Sequence, residues 1–309
     1  MLGSIIVALT GIALLLGGIY LMKLGLQKLL WRKFRKILLD LTNSPLKGLL
    51  LGTVAAAIMQ SSTVVSLLTI GLVSADYLSF YQGLGIILGA NIGTCSTVQL
   101  MKFSLPPAVY LPVLILIVIA FIFTRGKPRY IAAAIGGLLS IFGGLDVISL
   151  AIGNLSNLDL LDKYVGLAKI NPLYGILSGV IITFIFQSSS AATGILMLLG
   201  NGLLDLTTSA YIVYGNNIGS CLSSLLVGIT APLTARRVAI AHILLNVAGA
   251  IIFLPLTKIL TGAAGLVSNN FSQQVVIIHT LFNVLSSIAI LPVIKQYARL
   301  IILLSPAKR

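Results

Sequence analysis

A polar tetrapeptide, Gln60-Ser61-Ser62-Thr63, interrupts an apolar run, and a second, Gln187-Ser188-Ser189-Ser190, does the same in matching surroundings. Such side chains are costly in an apolar medium unless they find partners. The rest of the chain makes that medium. Of its 309 residues 58% are hydrophobic and only 8% are charged, with no Glu, against roughly 25% charged residues in soluble domains. Several apolar stretches reach about 20 residues, the length a helix needs to cross a bilayer core. The chain therefore reads as an all-α membrane protein, with the duplicated motif as two halves of one polar site.

Residues 3–22 make a first span, followed by a basic stretch with Lys23, Lys28, Arg32, Lys33, Arg35 and Lys36, where Trp31 suits an interface. Further spans are expected at 79–101, 106–124, 130–152, 209–230, from Arg236 and Arg237 to near Pro255, and at 274–294. That makes about seven in all. Residues 154–171 form the longest polar connection, with Asp159, Asp162, Lys163 and Lys169. The net charge of +14 sits mostly between apolar segments, so it reads as a topological signal that holds basic residues on the cytoplasmic side, not as a nucleic-acid surface. It puts the N-terminus outside and the C-terminus in the cytoplasm. Cys95 and Cys221 make no disulfide framework. Neither a nucleophile–base pair nor a metal cluster appears within the spans, so no enzyme and no resident cofactor is expected.

The two halves repeat one another well beyond the tetrapeptides. Pro45-Leu46-Lys47-Gly48 matches Pro172-Leu173-Tyr174-Gly175, and Asn91-Ile92-Gly93-Thr94-Cys95 matches Asn217-Ile218-Gly219-Ser220-Cys221. Gly17-Gly18 matches Gly143-Gly144. One transport domain over 1–309 follows. Repeat one covers about 5–124 with a hairpin at 45–74, repeat two covers about 130–258 with a hairpin at 172–205, and a further span lies at 274–294. Each polar motif sits between arms such as 45–59 and 64–74, too short to cross. Two short helices meeting at a polar tip make a re-entrant hairpin, tolerated where protein buries the tip. Three crossings then separate the halves and invert the second. Charge placement does not distinguish such hairpins from single crossings.

Each hairpin tip exposes a helix N-terminus, whose free N–H groups and positive dipole end attract anions. Hydroxyl oxygens can also ligate Na⁺. The stretches Gly89-Ala90-Asn91-Ile92-Gly93-Thr94 and Gly215-Asn216-Asn217-Ile218-Gly219-Ser220 read as helix breaks whose carbonyls face a cation. Beyond Lys47 at the start of the first hairpin, neither hairpin interior nor either Gly-Asn span contains Lys or Arg. A multiply charged anion there would need co-bound cations, which would couple the two. Asp146 is the only acid well inside a span and is a candidate cation ligand, proton carrier or structural hydrogen-bond partner. His242 and His279 each precede an Asn by four residues, Asn246 and Asn283, on one helix face. Interhelical hydrogen bonding is the plainer reading of both pairs.

The paired Gln-Ser-Ser-(Ser/Thr) and Gly-(Ala/Asn)-Asn-Ile-Gly-(Thr/Ser) motifs resemble those of the type II sodium-dependent phosphate cotransporters, particularly the bacterial members. His242-Ile-Leu-Leu-Asn246 and His279-Thr-Leu-Phe-Asn283 are similar to that family's His-x-x-Phe-Asn pattern, with Leu at 245. The resemblance covers about 5–295. It implies inverted repeats, two re-entrant hairpins and uptake of inorganic phosphate with sodium as the coupling ion, in the cell membrane. Carried over, Gln60, Ser61, Ser62, Thr63, Gln187, Ser188, Ser189 and Ser190 would bind phosphate, bordered by Asn91 and Asn217. Ser62, Thr63, Thr94, Ser189, Ser190, Ser220 and Asp146 would serve sodium. Export or carriage of another oxyanion, an anion channel, and a homodimer stay open.

Overall fold

In a computed structural model, residues 2–41, 44–102, 105–155, 166–200 and 203–306 are described, with side chains of 30–41 and 152–155 excepted. Thus Trp31, Asp159, Asp162 and Lys163 lie outside what can be described. Among the described residues the fold is built from α1 (Leu2–Leu41), α2 (Pro45–Met59), α3 (Ser62–Ser74), α4 (Phe80–Met101), α5 (Pro107–Phe123), α6 (Lys127–Leu155), α7 (Pro172–Phe186), α8 (Ser189–Leu198), α9 (Leu206–Thr230), α10 (Leu233–Val267), α11 (Phe271–Ile290) and α12 (Ile294–Leu304), with residues 166–170 helical as well. Local chemistry starts them. Pro45 and Pro172 occupy first-turn positions behind Ser44 and Asn171, whose side chains accept from Lys47 N and Leu173 N. Ser79 and Gln82 form a capping box at α4, and Asp205 caps α9 through Thr208 N.

Among the described residues, six helical segments are long and apolar enough to cross a membrane: 3–29, 80–102, 127–151, 206–230, 233–267 and 271–304. The seventh expected span is α5, of 17 residues; at 1.5 Å per residue it is about 25 Å long, short of a core of about 30 Å. The helix expected to end near Pro255 runs on to Val267. Pro255 removes one N–H there, and Thr257 Oγ1 lies 2.9 Å from both Phe253 O and Leu254 O. Tyr214 OH, 3.1 Å from Thr257 Oγ1, ties that turn to α9.

The Gly-Asn stretches are not helix breaks. Residues 89–94 and 215–220 lie within the unbroken α4 and α9. Their glycines serve contact instead. A Cβ on Gly89 would strike the Leu49 carbonyl, one on Gly93 the Thr53 carbonyl, and one on Gly215 the Ile176 carbonyl. So α2 lies backbone-to-backbone along α4, and α7 along α9, as small residues permit in a bilayer. The first and sixth helices use the same device. Gly11 faces Gly144 and Ile148, Gly18 faces Gly137 and Ile141, and Gly25 faces Tyr130 and Ala134. Rising numbers meet falling ones, so α1 and α6 run antiparallel.

A buried polar chain joins four helices of the core. His242 on α10 is fully buried. Its Nε2 lies 3.0 Å from Asn91 Oδ1 on α4, and its Nδ1 lies 3.2 Å from Ser66 Oγ on α3 and 3.3 Å from Ser224 Oγ on α9. With Nε2 donating to the Asn91 carbonyl, Nδ1 accepts from the Ser66 hydroxyl. Asn91 Nδ2 donates to Asn246 Oδ1 (3.2 Å), and Asn246 Nδ2 donates back to His242 O (3.1 Å). His279 is equally buried, and Asn283 Nδ2 donates to its carbonyl at 2.8 Å. Both its ring nitrogens, however, lack a partner among the described residues. The interhelical reading thus holds for His242, whereas the Asn283 bond to His279 stays within α11 and the His279 carbonyl meets another helix only through Cys95 Sγ at 4.0 Å.

Two outcomes follow for unfolding in detergent. Gly215→Ala should cost about 2 kcal/mol, because overpacking against a backbone carbonyl cannot relax cheaply. Gly262→Ala, with open space around it, should cost nothing or gain up to about 1 kcal/mol of helix propensity. His242→Leu should cost about 2–3 kcal/mol by stranding Asn91 Oδ1, whereas His279→Leu should cost under about 1 kcal/mol. The reverse order in either pair would contradict this packing.

Candidate site between the two tetrapeptides

Both tetrapeptides break their helices in the same way. Gln60 closes α2 at φ 51, ψ 34, and Gln187 closes α7 at φ 52, ψ 28. Left-handed backbone is uncommon for a residue with a Cβ. Each Gln offsets that cost locally, because its Nε2 turns back onto a carbonyl of its own last helical turn. Gln60 donates to Ala57 O, and Gln187 donates to Phe184 O at 2.5 Å. Carbonyls in a last turn otherwise have no partner. One residue on, the chain is extended, with Ser61 at φ -165, ψ 110 and Ser188 at φ -155, ψ 107. Each then caps the next helix, Ser61 Oγ accepting from Val64 N (3.3 Å) and Ser188 Oγ from Ala191 N (3.2 Å).

The two breaks meet. Gln60, Ser61, Ser62, Thr63, Gln187, Ser188, Ser189 and Ser190 line one cavity together with Thr94 and Lys23. The N-termini of α3 and α8 both open on it. Its volume is about 10 Å³, room for about one water molecule. Gln60 is 5% exposed and its Oε1 has no partner among the described residues. That is an acceptor held in the site without a donor. Surrounding helices brace the tips. Gln60 Nε2 also reaches Ser96 Oγ on α4 (3.3 Å), and Gln187 Oε1 accepts from Ser223 on α9. Thr63 Oγ1 donates to Ser220 O (3.4 Å), which links the first tip to the α9 of the other half.

The remaining candidates stand further back. Asn91 belongs to the His242 chain, and Asn217 Nδ2 donates to Val213 O (2.8 Å). Ser220 Oγ donates to Asn217 O (2.7 Å) and meets the site only through its carbonyl. Asp146 lies elsewhere. It accepts from Tyr110 OH at 2.7 Å and lines a separate cavity of about 340 Å³ with Lys102, Ser149, Asn270 and Gln273.

Two residues escaped the sequence reading. Asn216, fully buried, lies 3.1 Å from Thr183 Oγ1 on α7 and 3.2 Å from Thr193 Oγ1 on α8, so it clips both arms of the second motif to α9. Its amide nitrogen is best satisfied donating to Gly179 O and Thr183 Oγ1 of α7 and to Ile212 O of its own helix. Lys23 was read as the first of a run of basic residues beyond the membrane. It belongs to a helix that continues to Leu41, and it faces the cavity. The expectation that no fixed cation reaches the site is therefore wrong. The cation comes from α1, not from the hairpins or the Gly-Asn spans.

The chain is 31% identical over 98% of its length to the protein YqeW of Bacillus subtilis, of which it covers 99%. It is 27% identical over 84% of its length to the Escherichia coli protein named "Putative inorganic phosphate export protein YjbB", spanning 48% of that relative. A stretch covering 33% of the chain is 32% identical to the sodium-dependent phosphate transport protein 2A of Oryctolagus cuniculus, 17% of whose length it spans. No solved structure matches. The model of the family described as Na+/Pi-cotransporter matches residues 14–150 and 155–286, and with that breadth of match the chain belongs to the Na+/Pi-cotransporter family.

Proposed function

We propose that the protein is a secondary-active carrier that moves inorganic phosphate across the cell membrane together with Na⁺, binding both between the two tetrapeptide tips. The observation that carries this reading is the convergence of two capped helix N-termini and eight polar side chains in one cavity. Free N–H groups and serine hydroxyls donate to an oxyanion. Ser61 and Ser188 sit at the caps, and Ser62, Thr63, Ser189 and Ser190 present hydroxyls to phosphate or sodium, with Thr94 beside them. A cavity of about 10 Å³ is too small for phosphate, so the tips must part to admit it. A site that opens and closes around its substrate suits a carrier better than an open pore.

The α1–α6 pairing supports inverted repeats. Gly11 meets Gly144 as Gly18 meets Gly137, and the repeat aligns Gly18 with Gly144. Exchanging the halves therefore returns the same contacts between antiparallel helices, as a two-fold axis in the membrane plane requires. The arms α2, α3, α7 and α8 have 15, 13, 15 and 10 residues. Each is shorter than the about 20 residues of a span, which supports two re-entrant hairpins. Import is the direction we assign when the Na⁺ gradient points inward. A relative named for phosphate export favours a second reading, in which the same site runs outward when the gradients favour it.

Radiolabelled phosphate entry into proteoliposomes tests this. An inward Na⁺ gradient should accelerate entry over an equal choline gradient, and Ser188→Ala should slow it about tenfold through the lost cap and hydroxyl. Phosphate that stays outside under every gradient would overturn the substrate. Equal entry in sodium and choline would overturn the coupling, and unchanged entry in the variant would overturn the site.

A further inference from the structure

Lys23 stands where electrostatics alone would not put a cation. The cavity it lines receives the N-termini of α3 and α8, each carrying about half a positive charge. No carboxylate lines that cavity, and Lys23 has no hydrogen-bond or ion-pair partner among the described residues. A half-buried ammonium beside two positive helix ends is repelled by both. The close glycine pairing of α1 with α6 keeps it there nonetheless, since the Met22 backbone packs against Gly137. A polyanion reverses every one of these terms. The unpartnered Oε1 of Gln60, 5% exposed on the same cavity, adds an acceptor suited to a protonated phosphate oxygen or a cation.

We infer that Lys23 is the resident counter-cation of the oxyanion and does the work of one coupling sodium ion, so that phosphate binds measurably even without Na⁺. This deepens the proposed function and rests on its site. Without a fixed cation, two half-charges leave a divalent anion underneutralised, and each missing unit must arrive as Na⁺. With Lys23 present, one fewer is needed. The charge is also placed asymmetrically. The repeat counterpart of Lys23 is Ser149, which lines the separate Asp146 cavity. Only the first half supplies a cation, so the hydroxyls of both tips stay free for sodium. An ammonium acts as a point charge with freely turning donors, which lets it follow an anion as the tips part.

The test is phosphate affinity of the purified protein over a series of sodium concentrations, with choline keeping ionic strength constant. The wild type should bind phosphate in choline alone. Lys23→Gln should weaken that binding at least about tenfold, the cost of removing one partner of a desolvated charge pair. It should also steepen the dependence of affinity on sodium, as an added ion takes the vacated role. Lys23→Arg should restore affinity in choline and the shallow slope, which separates charge from folding. Absolute sodium dependence of the wild type would overturn this inference and leave the proposed function standing. A Lys23→Gln protein with wild-type slope would overturn it too, whether or not affinity fell. Absence of phosphate binding under every condition would take down both.

Discussion

A helix that stops inside an apolar slab must leave backbone groups to be satisfied by something other than lipid. This protein stops two helices within apolar runs, at Gln60 and at Gln187, and much of its architecture answers that cost. The glutamine amides return to their own helices, Ser61 and Ser188 cap the next ones, and α4 and α9 lie close enough to shield both arms. That closeness depends on glycine. Any side chain at 89 or 215 would push α2 or α7 away. The strained left-handed residues persist because the structure around them is fixed from several sides.

Once the breaks are held, the site follows with little further machinery. Two helix N-termini, a set of short hydroxyls and one ammonium share a volume with room for about one water molecule. None of these groups is a strong ligand alone. Their effect comes from convergence in a region with little competing water, where each dipole and charge counts for more. In the proposed function binding has to move the tips, and the bracing around them is unequal. The first tip reaches His242 through Ser66, while the second is clipped to α9 by Asn216. The two halves share a plan but hold their tips through different side chains.

The tetrapeptides were legible in the sequence because polarity inside an apolar run has few explanations, and their duplication removed most of the rest. Duplication also showed that Asn91 and Asn217 belong to equivalent places. Their glycines misled. A Gly-rich stretch in water suggests a flexible break, but in a bilayer glycine more often buys proximity between straight helices. Gly11, Gly18 and Gly25, spaced by sevens, with Gly137 and Gly144 on the facing helix, carried that signal in plain sight. Lys23 was hidden by its neighbours. At the head of a basic run it looks like one more topological charge, and nothing local marks its side chain as one that turns inward. Only the pairing of α1 with α6 decides where it points. The second-tip clip at Asn216 carries no signal in the repeat, because its counterpart there is Ala90 and the shared Asn is the residue beside it.

The central claim is that two distant tetrapeptides act as one site. A double-mutant cycle on phosphate binding asks this most directly, with Ser62→Ala and Ser189→Ala made singly and together. Neither hydroxyl is a helix cap, so each change removes a side chain from the cavity without loosening its break. Groups that share one ligand should show a coupling free energy of about 0.5–3 kcal/mol. Losses that simply add, within about 0.3 kcal/mol, would mean that the tips bind independently and would contradict the account.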